Sequence, residues 1–266
     1  MSVAHLRARL VSKRARLAYR SSVATPRRAQ EAKRWAQWCS DWDAVESEVF
    51  TLFHTRWMWR AITSLMNAGL PEGQDRYVQN YLTRTYVGTV CAAIRREADS
   101  DSRTSSLARC LQVLIDSPHL ATRAWFVGEA QQHRGASGSA IHDDEIQRLF
   151  DKFSPDGGAY VDPMVAEAAL IKLTASAAPI RKYTNKVLAH RDRDGKAADL
   201  TPSWVAINDA LDAVGVTVTD FYSLRHPAQM LAQVTPSMTL SFVEMFQVPW
   251  WVEGWSPPSD RDPWQP

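Results

Sequence analysis

The chain has 266 residues, 45% of them apolar and 23% charged, which excludes wholesale disorder and leaves ample material for one large core. No stretch approaches the roughly 18 uncharged apolar residues of a membrane span, since even the most apolar segment, 165–180, carries Glu167 and Lys172. The formal net charge of +2 hides an asymmetry: residues 1–36 hold ten Lys or Arg against the single acid Glu31, a balance of +9, so the other 230 residues sum to −7.

A basic arm on a mildly acidic body is the pattern of contact with nucleic acid or another anionic surface, although a solvated tail has the same composition. No apolar core segment follows the basic residues, so no secretory signal is expected there. Cys39, Cys91 and Cys110 are odd in number and widely spaced, with no CxxC pairing. They read as buried thiols in a reducing compartment, and the expected location is the cytoplasm.

The helical period dominates, and an all-α fold is expected. The arm, residues 1–24, precedes a single helical domain over 25–248 and an extended tail over 249–266 that is rich in proline and tryptophan. Thr25 and Pro26 form a cap and first-turn pair that opens a helix to about Cys39; Asp41 or Asp43 starts a second one that runs to Asn67. A third runs from about Gln74 to Glu97, with Val78, Leu82, Tyr86, Val90 and Ile94 at steps of four along one stripe. Ser105 or Ser106 caps a short helix through Leu107, Leu111 and Ile115, which ends at Ser117 and Pro118. The stretch from His119 to Ile141 is expected to be a loop, and Asp143 with Ile146 a helix start. From Pro163 a helical pattern extends to His190, with a break expected at Pro179, and Thr201 with Pro202 begins another helix towards Leu211 or Leu224. Trp35, Trp38, Trp42, Trp57 and Trp59 on the early helices and the four tail tryptophans are expected to form buried or interface layers.

Chemistry concentrates in the segment from Arg181 to Asp192. On a regular helix Lys182, Lys186 and His190 share one face, while Arg181 and Asn185 form a second stripe. A histidine late in a helix is drawn towards imidazolium by the dipole and by the nearby Asp192, which suits proton donation; the same position also suits a plain structural cap. Arg95, Arg96, Glu97, Asp99, Asp101 and Arg103 form a second polar cluster, which reads as facing the same site or as a solvated helix end with surface ion pairs. His142, Asp143 and Asp144 have no partner at ligand spacing, so no metal is expected. The glycines form no phosphate loop, and no cofactor is expected.

Three blocks carry a family resemblance. They are Asn80-Tyr81 through Ile94-Arg95-Arg96-Glu97 to Ser105-Ser106-Leu107; Asn185-Lys186-Val187-Leu188-Ala189-His190-Arg191-Asp192; and Phe246-Gln247-Val248-Pro249-Trp250. In this order, across about residues 35–251, the chain resembles the HEPN superfamily, and within it the AbiU-type family of abortive phage infection. The resemblance implies a helical bundle that homodimerises, binds RNA, needs no metal and answers to a cognate inhibitor protein. It implies an endoribonuclease in which two Arg-x(4 to 6)-His motifs face one cleft. His190 matches the motif's histidine. Its arginine window holds Tyr183, Thr184 and Asn185, and Arg181 lies upstream of it. Arg181, Asn185 or Lys186 would then supply the polar contacts, with Arg95 or Arg96 as substitute phosphate binders. A non-catalytic module that binds RNA, nucleotide or protein is the alternative.

Overall fold

The structure is a computed structural model that describes residues 26–69, 77–137, 142–188 and 201–227. Seven α-helices account for most of them: α1 (Pro26–Gly69), α2 (Tyr77–Glu97), α3 (Leu107–Asp116), α4 (Arg123–Ser137), α5 (Asp143–Asp151), α6 (Pro163–Tyr183) and α7 (Trp204–Arg225). The all-α expectation holds for the described residues, where the only β-type feature is one antiparallel bridge between Thr122 and Tyr160. No described helix is long and apolar enough to cross a membrane.

The core is built around α7. Ile207, Ala210, Leu211, Val214, Val218, Phe221 and Leu224 are all buried, and Ala213 and Thr217 bury the flank between them, so α7 is wrapped on more than one side. Helices α1, α2 and α6 pack on it, and α3 lies against α6. Two aromatic layers fill the gaps along α1. Trp35, Trp38 and Trp42 stack in succession, with centroids 4.6 and 5.4 Å apart, and Trp125 of α4 meets Trp35 edge-on. Farther along, Trp59 stacks on Tyr86 of α2 at 4.3 Å and on Trp204 of α7 at 5.0 Å. The early tryptophans are thus largely core material; the tail tryptophans lie outside the described residues.

Helix α1 is continuous over 44 residues, about 66 Å at the standard rise, where the sequence predicts two helices. Asp41 and Asp43 resemble caps, but tertiary partners take their carboxylates instead. Asp41 accepts from Gln37 and Ser105, and Asp43 is held by Arg225. With no proline or glycine between Cys39 and Asp43, nothing interrupts the backbone.

The predicted loop over 119–141 is a second departure. A short 3-10 turn (Pro118–Leu120) leads into α4, whose start is capped by Thr122 Oγ1 accepting the Trp125 N–H at 3.0 Å. Phe126 and Ala130, four residues apart, are buried by α5 and the core, and this burial overrides the glycines and polar residues that read as a loop.

The predicted break at Pro179 does not occur; α6 passes through it. Pro179 and Ala175, whose carbonyl loses its partner, are both on the exposed side of the helix, while buried Ala177 and Ile180 hold it to the core. The irregularity falls later, as a π turn over Thr184–Leu188. There the buried Thr184 hydroxyl donates back to the Ile180 and Arg181 carbonyls at 3.0 and 3.1 Å. Such back-bonding competes with the α-helical ladder and widens the turn.

Candidate functional site

The end of α6 presents the residues singled out in the sequence. Arg181, Lys182, Asn185 and Lys186 are exposed, and none has an ion-pair or side-chain hydrogen-bond partner among the described residues. Tyr183 is half-buried against the core, and Thr184 is buried. The π turn changes the predicted register. Its i→i+5 bonding absorbs one extra residue, so Lys186 rotates towards the side of Arg181, and the two stripes of a regular helix no longer apply. His190 and Asp192 lie outside the described residues.

Helix α2 packs against α6 and the π turn. Its last turn separates the two candidate phosphate binders. Arg95 is exposed, without a partner among the described residues. Arg96 is engaged: its guanidinium pairs with Glu48 of α1 and lies 3.7 Å from Glu97 Oε1. Arg96 is thus turned to the α1 side.

Glu97 departs from the solvated helix end that the sequence suggests for it. It is 1% exposed, and its Oε2 accepts the Leu107 backbone N–H at 3.1 Å. Burial pushes its carboxyl up to about 7, against the opposing pull of the Leu107 N–H and Arg96, and the neighbouring Glu48 carboxyl adds to the rise. Two carboxyls and one guanidinium share this site, and the nearest apolar wall is the core. The signal was present in the spacing, since Glu97 stands three residues after Ile94 on the buried stripe.

Two further clusters are structural in character. Arg225 grips Asp43 through two hydrogen bonds of 2.8 and 3.0 Å, and His226 meets Glu46 at 2.7 Å. Asp43, Glu46 and His226 offer ligand atoms within 4.8 Å of one another, but both carboxylates already face a cationic or hydrogen-bonding partner, so the group clamps the end of α7 to α1. The three thiols are free; burial raises Cys39 to about 11 and Cys91 to about 12, and lifts Cys110 higher still, so none is a ready thiolate.

Neither the family models nor the curated proteins nor the solved structures contain a match to this chain.

Proposed function

We propose that the chain is an HEPN-type protein of bacterial antiviral defence that acts on RNA in the cytoplasm as a homodimer under the control of a cognate inhibitor protein. The observation that supports it is that Arg181, Lys182, Asn185 and Lys186, at and just before the π turn and shortly before His190 in the chain, are exposed with no partner among the described residues. Cations left without carboxylates are suited to phosphate oxygens, and π turns recur at functional sites.

In the catalytic form of this reading, the ribose 2′-oxygen attacks the adjacent phosphorus, and the bond to the 5′-oxygen breaks. His190 moves the protons, while Arg181 and Lys186 offset the charge that gathers on the phosphoryl oxygens. No metal is needed, because cation and proton donor both come from the chain.

A specific observation favours the non-catalytic alternative. Of the three positions where the motif's arginine would stand, Tyr183 packs on the core and buried Thr184 bonds back to its own helix, leaving only Asn185 exposed. Asparagine binds a phosphate oxygen without neutralising it. Expression of the wild type and His190→Ala in a bacterial host separates the two readings. A ribonuclease arrests growth and fragments total RNA, and the variant does neither. A wild type that leaves RNA intact, or a variant equally damaging, rejects catalysis.

A further inference from the structure

A cavity of about 320 Å³ lies between residues 34–41 of α1, the loop after α2 and the start of α3, away from the end of α6. Arg34, Arg103 and Arg109 line it against a single lining carboxylate, Asp41, with Ser105 and Trp38 between them. The state of these groups is informative. Arg109 is half-buried and has no ion-pair or hydrogen-bond partner among the described residues. A guanidinium that lines a cavity without a counter-charge is suited to an anionic ligand. Arg34 spends only Nη2, on the Ser117 hydroxyl at 2.9 Å. Arg103, 85% exposed, pairs with Asp101 through Nε and Nη2, which pulls Asp101 down to about 2 and leaves Nη1 for another acceptor.

Asp41 gives the cavity a second chemistry. Its Oδ1 accepts from Ser105 at 2.8 Å and from Gln37 at 3.0 Å, while Oδ2 has no partner among the described residues. A lone acceptor in a cavity lined by three arginines matches a ligand that carries a hydroxyl next to its phosphate. Exposed Arg28 and Lys33 precede Arg34 on the same helix.

We propose that this cavity binds the RNA backbone: Arg34, Arg103 and Arg109 take phosphodiester oxygens, and Asp41 accepts the 2′-hydroxyl that distinguishes ribose from deoxyribose. The inference deepens the RNA reading above with a binding site separate from the end of α6, and it stands whether or not His190 cleaves.

The test measures fluorescence anisotropy of the full chain with a short fluorescein-labelled single-stranded RNA and with DNA of the same sequence, across a salt series. Arg109→Gln and the exposed Arg103→Gln are compared with Arg148→Gln, which removes one charge from an exposed position on α5. Both cavity variants are expected to weaken RNA binding roughly tenfold and to lower the salt slope by about one. Equality of both with Arg148→Gln overturns the proposal, and circular dichroism confirms that each variant is folded. Asp41→Ala is expected to bring the RNA-to-DNA affinity ratio towards one; an unchanged ratio rejects the ribose contact. If Arg109→Gln loses affinity for pyrophosphate but keeps that for RNA, the cavity serves small phosphates and the RNA assignment fails. RNA fragmentation is scored in parallel: cavity variants that lose affinity while the wild type leaves RNA intact uphold the cavity and reject cleavage, so a failure of cleavage and a failure of the cavity give different results.

Discussion

The carboxylate of Glu97, at the end of α2, accepts the backbone N–H of Leu107, the first residue of α3, across a ten-residue separation. An otherwise orphaned N–H at a helix start is thereby satisfied by a buried acid, and the loop between the two helices is closed at its base. Asp99 and Asp101 fold that loop by accepting the Asp101 and Arg103 N–H groups, which sets Arg103 at the edge of the arginine-lined cavity.

Stability should fall with rising pH because of Glu97. Its folded-state value near 7 lies above the ordinary 4.5, so the unfolded chain releases this proton first. Its contribution is greatest below about pH 4.5 and is lost between there and pH 7, at up to about 1.4 kcal/mol per pH unit. Glu97→Gln keeps an oxygen for Leu107 and carries no charge, so urea melts should show a flatter pH profile for the variant and an advantage over the wild type at pH 8. An unchanged profile would show that another group sets the slope.

Trp38 is expected to be the most costly single truncation on α1. It is 1% exposed, stacks between Trp35 and Trp42, and donates its Nε1–H to the Cys110 carbonyl of α3 at 3.0 Å. Trp38→Ala should cost about 3–5 kcal/mol in equilibrium denaturation. Trp38→Phe keeps most of the stacking and loses only the hydrogen bond to the Cys110 carbonyl, which retains its bond within α3, so its loss should be smaller, about 0.5–1.5 kcal/mol.

Two glycines inside helices should respond in opposite directions to alanine. A Cβ on Gly215 of α7 would stand 2.6 Å from the Phe53 ring of α1, a contact that forces the helices apart. Gly215→Ala should destabilise by about 1–3 kcal/mol despite better helix propensity. Gly88 of α2 has nothing within 4 Å of the same position, so Gly88→Ala should stabilise by about 0.4–1 kcal/mol. Paired thermal melts check the sign of each.

Ser106 caps α3, its Oγ accepting the Arg109 N–H at 3.1 Å while its hydroxyl donates to the Asp99 carbonyl. Ser106→Ala should cost about 0.5–2 kcal/mol, and Ser106→Asp should recover the cap but not the donation. Loss of RNA affinity in both variants at unchanged helix content would tie the cap to the placement of the neighbouring Arg103 and Arg109.

The sequence by itself determined that the chain is helical, where α3 begins and ends, and that residues 181–186 form a cationic segment, because caps, prolines and period-four stripes act within one or two turns. Tertiary structure decided the remainder. It joined two predicted helices into α1 by giving Asp41 and Asp43 partners far along the chain, folded α4 out of a polar stretch by burying Phe126 and Ala130, and carried α6 through Pro179 because the lost bond lies on the exposed side of the helix. It also moved the irregularity to Thr184, whose hydroxyl turns back on its own helix once the side chain is buried. The arginine-lined cavity was illegible for the same reason. Arg34, Arg103 and Arg109 are brought to one place only when α1 packs beside α3, and local spacing holds no record of a meeting between residues so far apart.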